Sequence, residues 1–227
     1  MKIKTTEDLQ SKLEKDLSWR KKELTALRMA IEESDYATVN IHIRGGMLLL
    51  YAHWEGFIKK AIKVYLMFLN EQNLDCGQVA DHLLFLKMKS ALLQASKDGS
   101  KRLLPYVDVF HGVLTRKSGE TFRVRPEHIS TESNLNYGVL IDLLFSIGVN
   151  KAPFELRKNF IDYKLVDKRN GIAHGEHIMV VRDESEQKEE TEDFISIYEV
   201  ILDLIDTFKD ALLTAAVQRT YLARAGC

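Results

Sequence analysis

The residues best suited to chemistry lie in one string, Arg169-Asn170-Gly171-Ile172-Ala173-His174-Gly175. Arginine presents a permanent cation whose planar fork clamps a phosphate through two parallel N–H bonds. Histidine takes or gives a proton near neutral pH. Side by side they supply what metal-free phosphodiester cleavage demands: positive charge on the non-bridging oxygens and a carrier for the proton that moves.

Spacing alone is weak support. In a chain of this composition an Arg followed by a His at that distance occurs roughly once by chance, and a second match exists at Arg123-Val124-Arg125-Pro126-Glu127-His128. Context separates the two. Pro126 removes a backbone donor and disfavours helix at Arg125, and the flanking Lys117–Glu120 and Ser130–Ser133 are turn-forming and charged. The Arg169 string instead follows an apolar helical pattern of Phe154, Leu156, Phe160, Ile161, Leu165 and Val166. It is therefore placed at the end of a rigid element, which can hold a site in position.

The rest of the chain bounds what that site serves. The 227 residues suffice for a full core, read as one domain over 1–227, and 45% hydrophobic with 29% charged residues is the balance of an ordinary globular protein. A net charge of −1 gives no global attraction for nucleic acid, so RNA contact has to come from local basic groups. Arg20-Lys21-Lys22, Lys59-Lys60-Lys63 and Lys164-Lys168 are such groups, or else solvated helix faces. Two cysteines, Cys76 and Cys227, form no disulfide framework or metal pair. His174 and His177 lack the further ligands that zinc requires. No metal and no cofactor are expected. The N-terminus turns polar at once, and the longest apolar run, Met47 to Trp54, is far short of a membrane span. The expected setting is the cytoplasm, without a membrane.

The periodicity is helical throughout. A first helix starts near Thr5, with Asp8 as its capping-box partner, and keeps Leu9, Leu13, Leu17, Leu24, Leu27 and Ile31 on one stripe until about Glu33-Ser34-Asp35. A second runs from about Tyr36 to Asn70 and is apolar on more than one side, as a central helix is. Gly45-Gly46 within it implies close packing or a kink. A third spans about Gly77 to Ser96. A mostly irregular polar insertion follows at about 98–134, interrupted by the apolar Leu103–Leu114, a short helix or strand. A fourth helix covers about Tyr137 to Ile147 and stops at Gly148. A fifth begins near Pro153 and leads into the Arg169 string. Asp183 to Asp193 reads as an acidic solvated loop, and a last helix spans about Phe194 to Tyr221.

Three segments carry a family resemblance: Leu17-Ser18-Trp19-Arg20-Lys21-Lys22-Glu23-Leu24, Leu50-Tyr51-Ala52-His53-Trp54-Glu55-Gly56-Phe57-Ile58-Lys59, and Lys168 through Gly175. Together they resemble the HEPN superfamily, in its prokaryotic nuclease branch of toxin–antitoxin and phage-defence loci. The resemblance implies an all-α HEPN-like helical bundle. It also implies a homodimer that places two Arg-x4-6-His motifs across a shared cleft, and metal-independent endoribonuclease activity on an RNA substrate. An antitoxin or inhibitor protein is the implied partner. On this chain Arg169 and His174 match the motif, and Asn170 matches the polar residue after its arginine. Other members bind nucleotide, RNA or protein without cleaving, which is the alternative function.

The chemistry assigns roles within the string. A ribose 2′-OH can attack its own phosphate, so the enzyme only moves protons and stabilises a dianionic transition state. His174 is the candidate acid or base and Arg169 the candidate oxygen clamp. Asn170 either orients Arg169 or bonds the phosphate, or simply caps or turns the chain. Glu55, a carboxylate on an apolar helix, needs a partner; it orients Arg169 or His174, or sits where the helix surfaces. Trp19 and Trp54 read as core or interface anchors, and His53 as a packed core histidine. Five residues of α-helix rotate about 500°, which leaves Arg169 and His174 roughly 140° apart. A turn at Gly171, a long arginine reach, or pairing of two copies would resolve this.

Overall fold

Thr5 opens the first helix as a reciprocal cap. Its hydroxyl accepts the Asp8 N–H at 3.1 Å, and the Asp8 carboxylate accepts the Thr5 N–H at 3.2 Å. In the computed structural model, which describes residues 2–97, 107, 110–111 and 119–223, helix α1 then runs Thr6–Glu32 and buries Leu9, Leu13, Leu17, Leu24 and Ile31. Helix α2, Val39–Glu71, buries residues around most of its circumference, including Tyr51, Trp54, Phe57 and Tyr65. Gly46 explains the paired glycines: a Cβ there would lie 2.8 Å from Ile31 Cδ1 and 3.1 Å from Phe194 Cε2. Close packing, not a kink, is what this position needs, because the helix passes through unbroken.

Helix α3, Asp81–Lys97, starts later than the sequence pattern suggests. Residues before it form turns and two isolated bridges, Asp75 with Thr121 and Val79 with Leu222. Leu103–Leu114 lies almost wholly outside the described residues. The end of the polar insertion, residues 119–134, is irregular apart from one 3-10 turn, Pro126–His128. It is pinned inward by buried Phe122, Val124 and Ile129. Asn70 fixes its path by donating Nδ2 to the Val124 carbonyl at 2.8 Å and accepting the Val124 N–H at 3.0 Å.

Helix α4, Tyr137–Ser146, is capped by Asn136, whose side chain accepts the Val139 N–H. The single fifth helix expected from Pro153 onward is instead three pieces. Helix α5, Ala152–Glu155, has Pro153 in its first turn. A π-wound stretch, Phe160–Asp167, follows, and runs directly into helix α6, Lys168–Ala173. The wider winding suits the apolar pattern, since Ile161, Leu165 and Val166, at four and five residues, are all buried.

The acidic loop expected at 183–193 is a helix. Helix α7, Glu184–Val217, begins there, capped by Asp183 accepting the N–H groups of Ser185 at 2.9 Å and Glu186 at 3.0 Å. Glutamates in a first turn meet the positive end of the helix dipole, and Glu, Gln and Lys are strong helix formers that need no apolar stripe. The stripe begins only at Phe194.

α1, α2 and α7 pack against one another pairwise, and α6 lies on α2. The architecture is an all-α bundle, without strands among the described residues. Among those residues no helix is long and apolar enough to cross a membrane.

Between α1 and α2 sits a buried polar cluster. Arg20 donates Nε to Asp16 at 2.7 Å, and its Nη1 lies 3.4 Å from His53 Nδ1. Glu23 approaches His53 Nε2 to 2.8 Å without the angle of a hydrogen bond. Trp54 is fully buried, whereas Trp19 stays half-exposed beneath the Arg20 guanidinium and so lies outside the core. Burial holds both His53 and His82 below the ordinary imidazole value of 6.5; at His53, Glu23 opposes this and Arg20 reinforces it. The unfolded chain gains those protons near 6.5 and the folded chain only lower, so stability is lost as pH falls through that value. The urea midpoint should therefore drop between about pH 7.5 and 5.5, and His82→Gln should shrink the drop.

Candidate active site

The Arg169 string ends its helix by a glycine cap. His174 is the C-cap of α6, and Gly175 follows with φ +82, the left-handed conformation that glycine adopts at no steric cost. Gly175 N–H donates to the Ile172 carbonyl at 3.1 Å and Glu176 N–H to the Gly171 carbonyl at 2.9 Å, the nested pair typical of such ends. Gly171 lies inside the helix and provides no turn. It is needed for closeness, since a Cβ would lie 2.6 Å from Ile178 Cδ1. The chain beyond is stitched to α2, where the Asn40 amide pairs with both the N–H and the C=O of Val181, at 2.6 and 3.1 Å. Gly175→Ala should cost about 1–2 kcal/mol through the forced left-handed φ, measurable as a lower urea midpoint.

Arg169 is held on two sides. Its guanidinium carbon stands 4.5 Å from the centre of the Tyr51 ring, a cation–π contact worth about 0.5–2 kcal/mol. Its Nη1 donates to Asn170 Oδ1 at 2.8 Å. Tyr51 is itself fixed, because its hydroxyl accepts the Leu135 N–H at 2.7 Å. Burial pushes the Tyr51 phenol up to about 12, with the Glu55 carboxylate adding to the rise and the Leu135 bond and Arg169 opposing it. The ring is therefore neutral at physiological pH.

Glu55 touches neither Arg169 nor His174. It accepts a hydrogen bond from the buried Thr131 hydroxyl and stands beside Tyr51. Its link to Arg169 thus runs through the tyrosine. Asn170 donates Nδ2 to Asn134 Oδ1 at 3.4 Å, so its amide has a defined orientation, with the oxygen on the arginine and the nitrogen on Asn134.

His174 is exposed, and its imidazole has no hydrogen-bond partner among the described residues. Because the helix continues unbroken through Ala173, the offset of about 140° between Arg169 and His174 stands. A shallow groove of about 660 Å³ beside the string is lined by Asn134 and Asn170, but by neither Arg169 nor His174. Asp142, Asp162 and Asp167 face it against the single lysine Lys158, so it does not attract a phosphate backbone.

The competing Arg123–His128 match is committed elsewhere. Arg123 donates to Asn73 Oδ1 at 2.9 Å, and His128 Nδ1 lies 2.6 Å from the Ser90 hydroxyl. Lys164 and Lys168 both pair with Asp193, at 3.3 and 2.5 Å. These pairs hold its carboxyl below the usual range although burial pushes the other way. Lys21 pairs with Asp206. Among the described residues no group of three or more His, Cys, Asp or Glu is placed to hold a metal ion. Tyr51, Thr131, Asn134 and Leu135 are the members that spacing could not flag. Tyr51 is one of many apolar residues on the central helix, Thr131 and Asn134 fell in the polar insertion, and Leu135 lies just beyond it.

The fold and this site define a helical bundle carrying an arginine–amide–histidine string at a glycine-capped helix end. The profile of the HEPN_MAE_28990-like HEPN family matches residues 9–221, nearly the whole chain, and the protein belongs to that family. That membership associates it with nuclease-like or RNA-related function. No curated protein and no solved structure gives a significant match.

Proposed function

We propose that the protein is a metal-independent endoribonuclease, acting as a toxin or phage-defence effector in a homodimer. The observation that carries this reading is the mounting of Arg169. Tyr51 covers one face of the guanidinium and Asn170 takes one N–H, which leaves the remaining donors for a phosphate. His174 is exposed at the end of the same helix. In this scheme the ribose 2′-oxygen attacks phosphorus and the P–O5′ bond breaks. One imidazole removes the 2′ proton and another group protonates the 5′ oxygen. The products are a 2′,3′-cyclic phosphate and a 5′-OH, and DNA resists because it lacks the nucleophile. The test is incubation with RNA in excess EDTA, beside Arg169→Ala and His174→Ala. Equal cleavage by all three, or strict dependence on added metal, would overturn the proposal.

The offset of Arg169 from His174 favours a two-copy site, because one α-helix does not converge them. It also supports a second reading, a non-catalytic module that binds nucleotide, RNA or protein through Arg169. That reading predicts intact RNA, together with binding that Arg169→Ala weakens.

A further inference from the structure

The polar insertion ends in a tight strap, Thr131–Leu135, which touches every residue that holds Arg169. Thr131 donates to Glu55, Leu135 N–H donates to the Tyr51 hydroxyl at 2.7 Å, and Asn134 Oδ1 accepts from Asn170 at 3.4 Å. Asn134 N–H closes the turn on the Thr131 carbonyl at 3.1 Å. The two central residues, Glu132 at φ 56 and Ser133 at φ 57, are both left-handed. Consecutive left-handed residues make a turn of the I′ kind, which asparagine and glycine favour. A glutamate and a serine hold it under strain, and such strain persists only where the surroundings over-determine the backbone. Here the surroundings are the three contacts just named.

We propose that Asn134 is a positioning residue, which acts through Asn170 on the Arg169 guanidinium. Without an acceptor for its Nδ2, the Asn170 amide is free to rotate, and the oxygen that fixes Arg169 Nη1 is no longer directed at it. Tyr51 then still holds the guanidinium carbon over its ring, but no neighbouring acceptor sets the direction in which the free N–H groups point. Misplacement of such a clamp by about 1 Å is enough to cost on the order of a hundredfold in rate. The strap thus makes the end of the polar insertion part of the site, although it contributes no group to the reaction.

This inference rests on the endoribonuclease reading only for its kinetic readout, so the experiment has two arms. In the first, cleavage kinetics are compared for wild type, Asn134→Ala and Asn134→Asp. Aspartate keeps an acceptor of the same size while adding negative charge near the substrate. The alanine variant should lose about tenfold or more in kcat with KM changed little, and the aspartate variant should keep kcat while KM rises. In the second, the Arg169 Nε–H resonance is followed by NMR after assignment through its loss in Arg169→Lys. It should shift or broaden in Asn134→Ala and stay in place in Asn134→Asp. Should the alanine variant not fold, Asn134→Ser, whose hydroxyl is too short to reach Asn170, is read in the same way. An unmoved Arg169 resonance in the alanine or serine variant overturns the positioning role whether or not RNA is cut. A wild-type protein that cuts no RNA overturns the endoribonuclease reading alone, and the resonance still decides the role of Asn134.

Discussion

Arg169→Ala should cleave RNA at least about a hundredfold more slowly than the wild type in excess EDTA, and Arg169→Lys should recover little of the loss. Removing one preorganised donor from a developing oxyanion costs about 10²–10³ in rate, which is about 2.7–4 kcal/mol of transition-state stabilisation. The contacts of Arg169 suit that proposed role. The Tyr51 ring holds its guanidinium carbon at 4.5 Å, and the Asn170 bond at 2.8 Å fixes one edge. A lysine ammonium is a point charge that neither stacks on the ring as a plane nor presents parallel N–H groups. Stability should change far less than activity, because the side chain is only partly buried and its single bond is to a neighbouring residue. Unfolding by urea checks this. A slow variant with an unchanged midpoint separates lost clamping from lost fold, whereas a variant as fast as wild type removes Arg169 from the mechanism.

Much of this arrangement was legible in the residues because it is local. Thr5 and Asp8 announce a helix start by their spacing, and the capping box is present. The leucine stripe of α1, the all-round burial of α2 and the stop at Gly148 follow from period and glycine chemistry. The misreadings have physical causes too. Asp183–Asp193 is a helix start whose favourable terms are a cap and the dipole, neither of which shows in an apolar pattern. The helix leading to Arg169 is interrupted by a turn after Glu155 and then π-wound over Phe160–Asp167, and an apolar spacing of four and five residues shows neither.

The site divides along the same line. Arg169, Asn170 and His174 are adjacent in sequence and so could be proposed together. Tyr51 lies more than a hundred residues earlier and looks like its core neighbours. Asn134 lies in the polar stretch that seemed only to connect helices. Their contacts arise when the strap folds onto α2, and the turn that folds it has Glu132 and Ser133 at the two central positions where glycine or asparagine would mark such a turn. Glu55 shows the limit from the other side. Its need for a partner was readable from an acidic group on an apolar helix, but the partner, Thr131, was not.

His174→Ala should lose about 10²–10⁴ in rate, the range for a positioned acid or base. The more informative result comes from mixing. His174 is exposed at the end of α6 and offset from Arg169 around the helix, so a single chain brings the two together poorly. If a site takes its arginine from one copy and its histidine from the other, a mixed dimer of Arg169→Ala and His174→Ala chains has one site with both residues intact and one with neither. With random exchange about half the dimers are mixed, and one site in two is complete in each, so activity should return to about a quarter of wild type. If each chain carries its own complete site, every site in the mixture lacks one residue and no activity returns. The two variants are therefore purified separately, exchanged by mild denaturation and refolding, and assayed on RNA in excess EDTA. Recovery toward a quarter makes the two-copy site the working unit, and the absence of recovery from chains proven to have exchanged returns the whole reaction to one helix end.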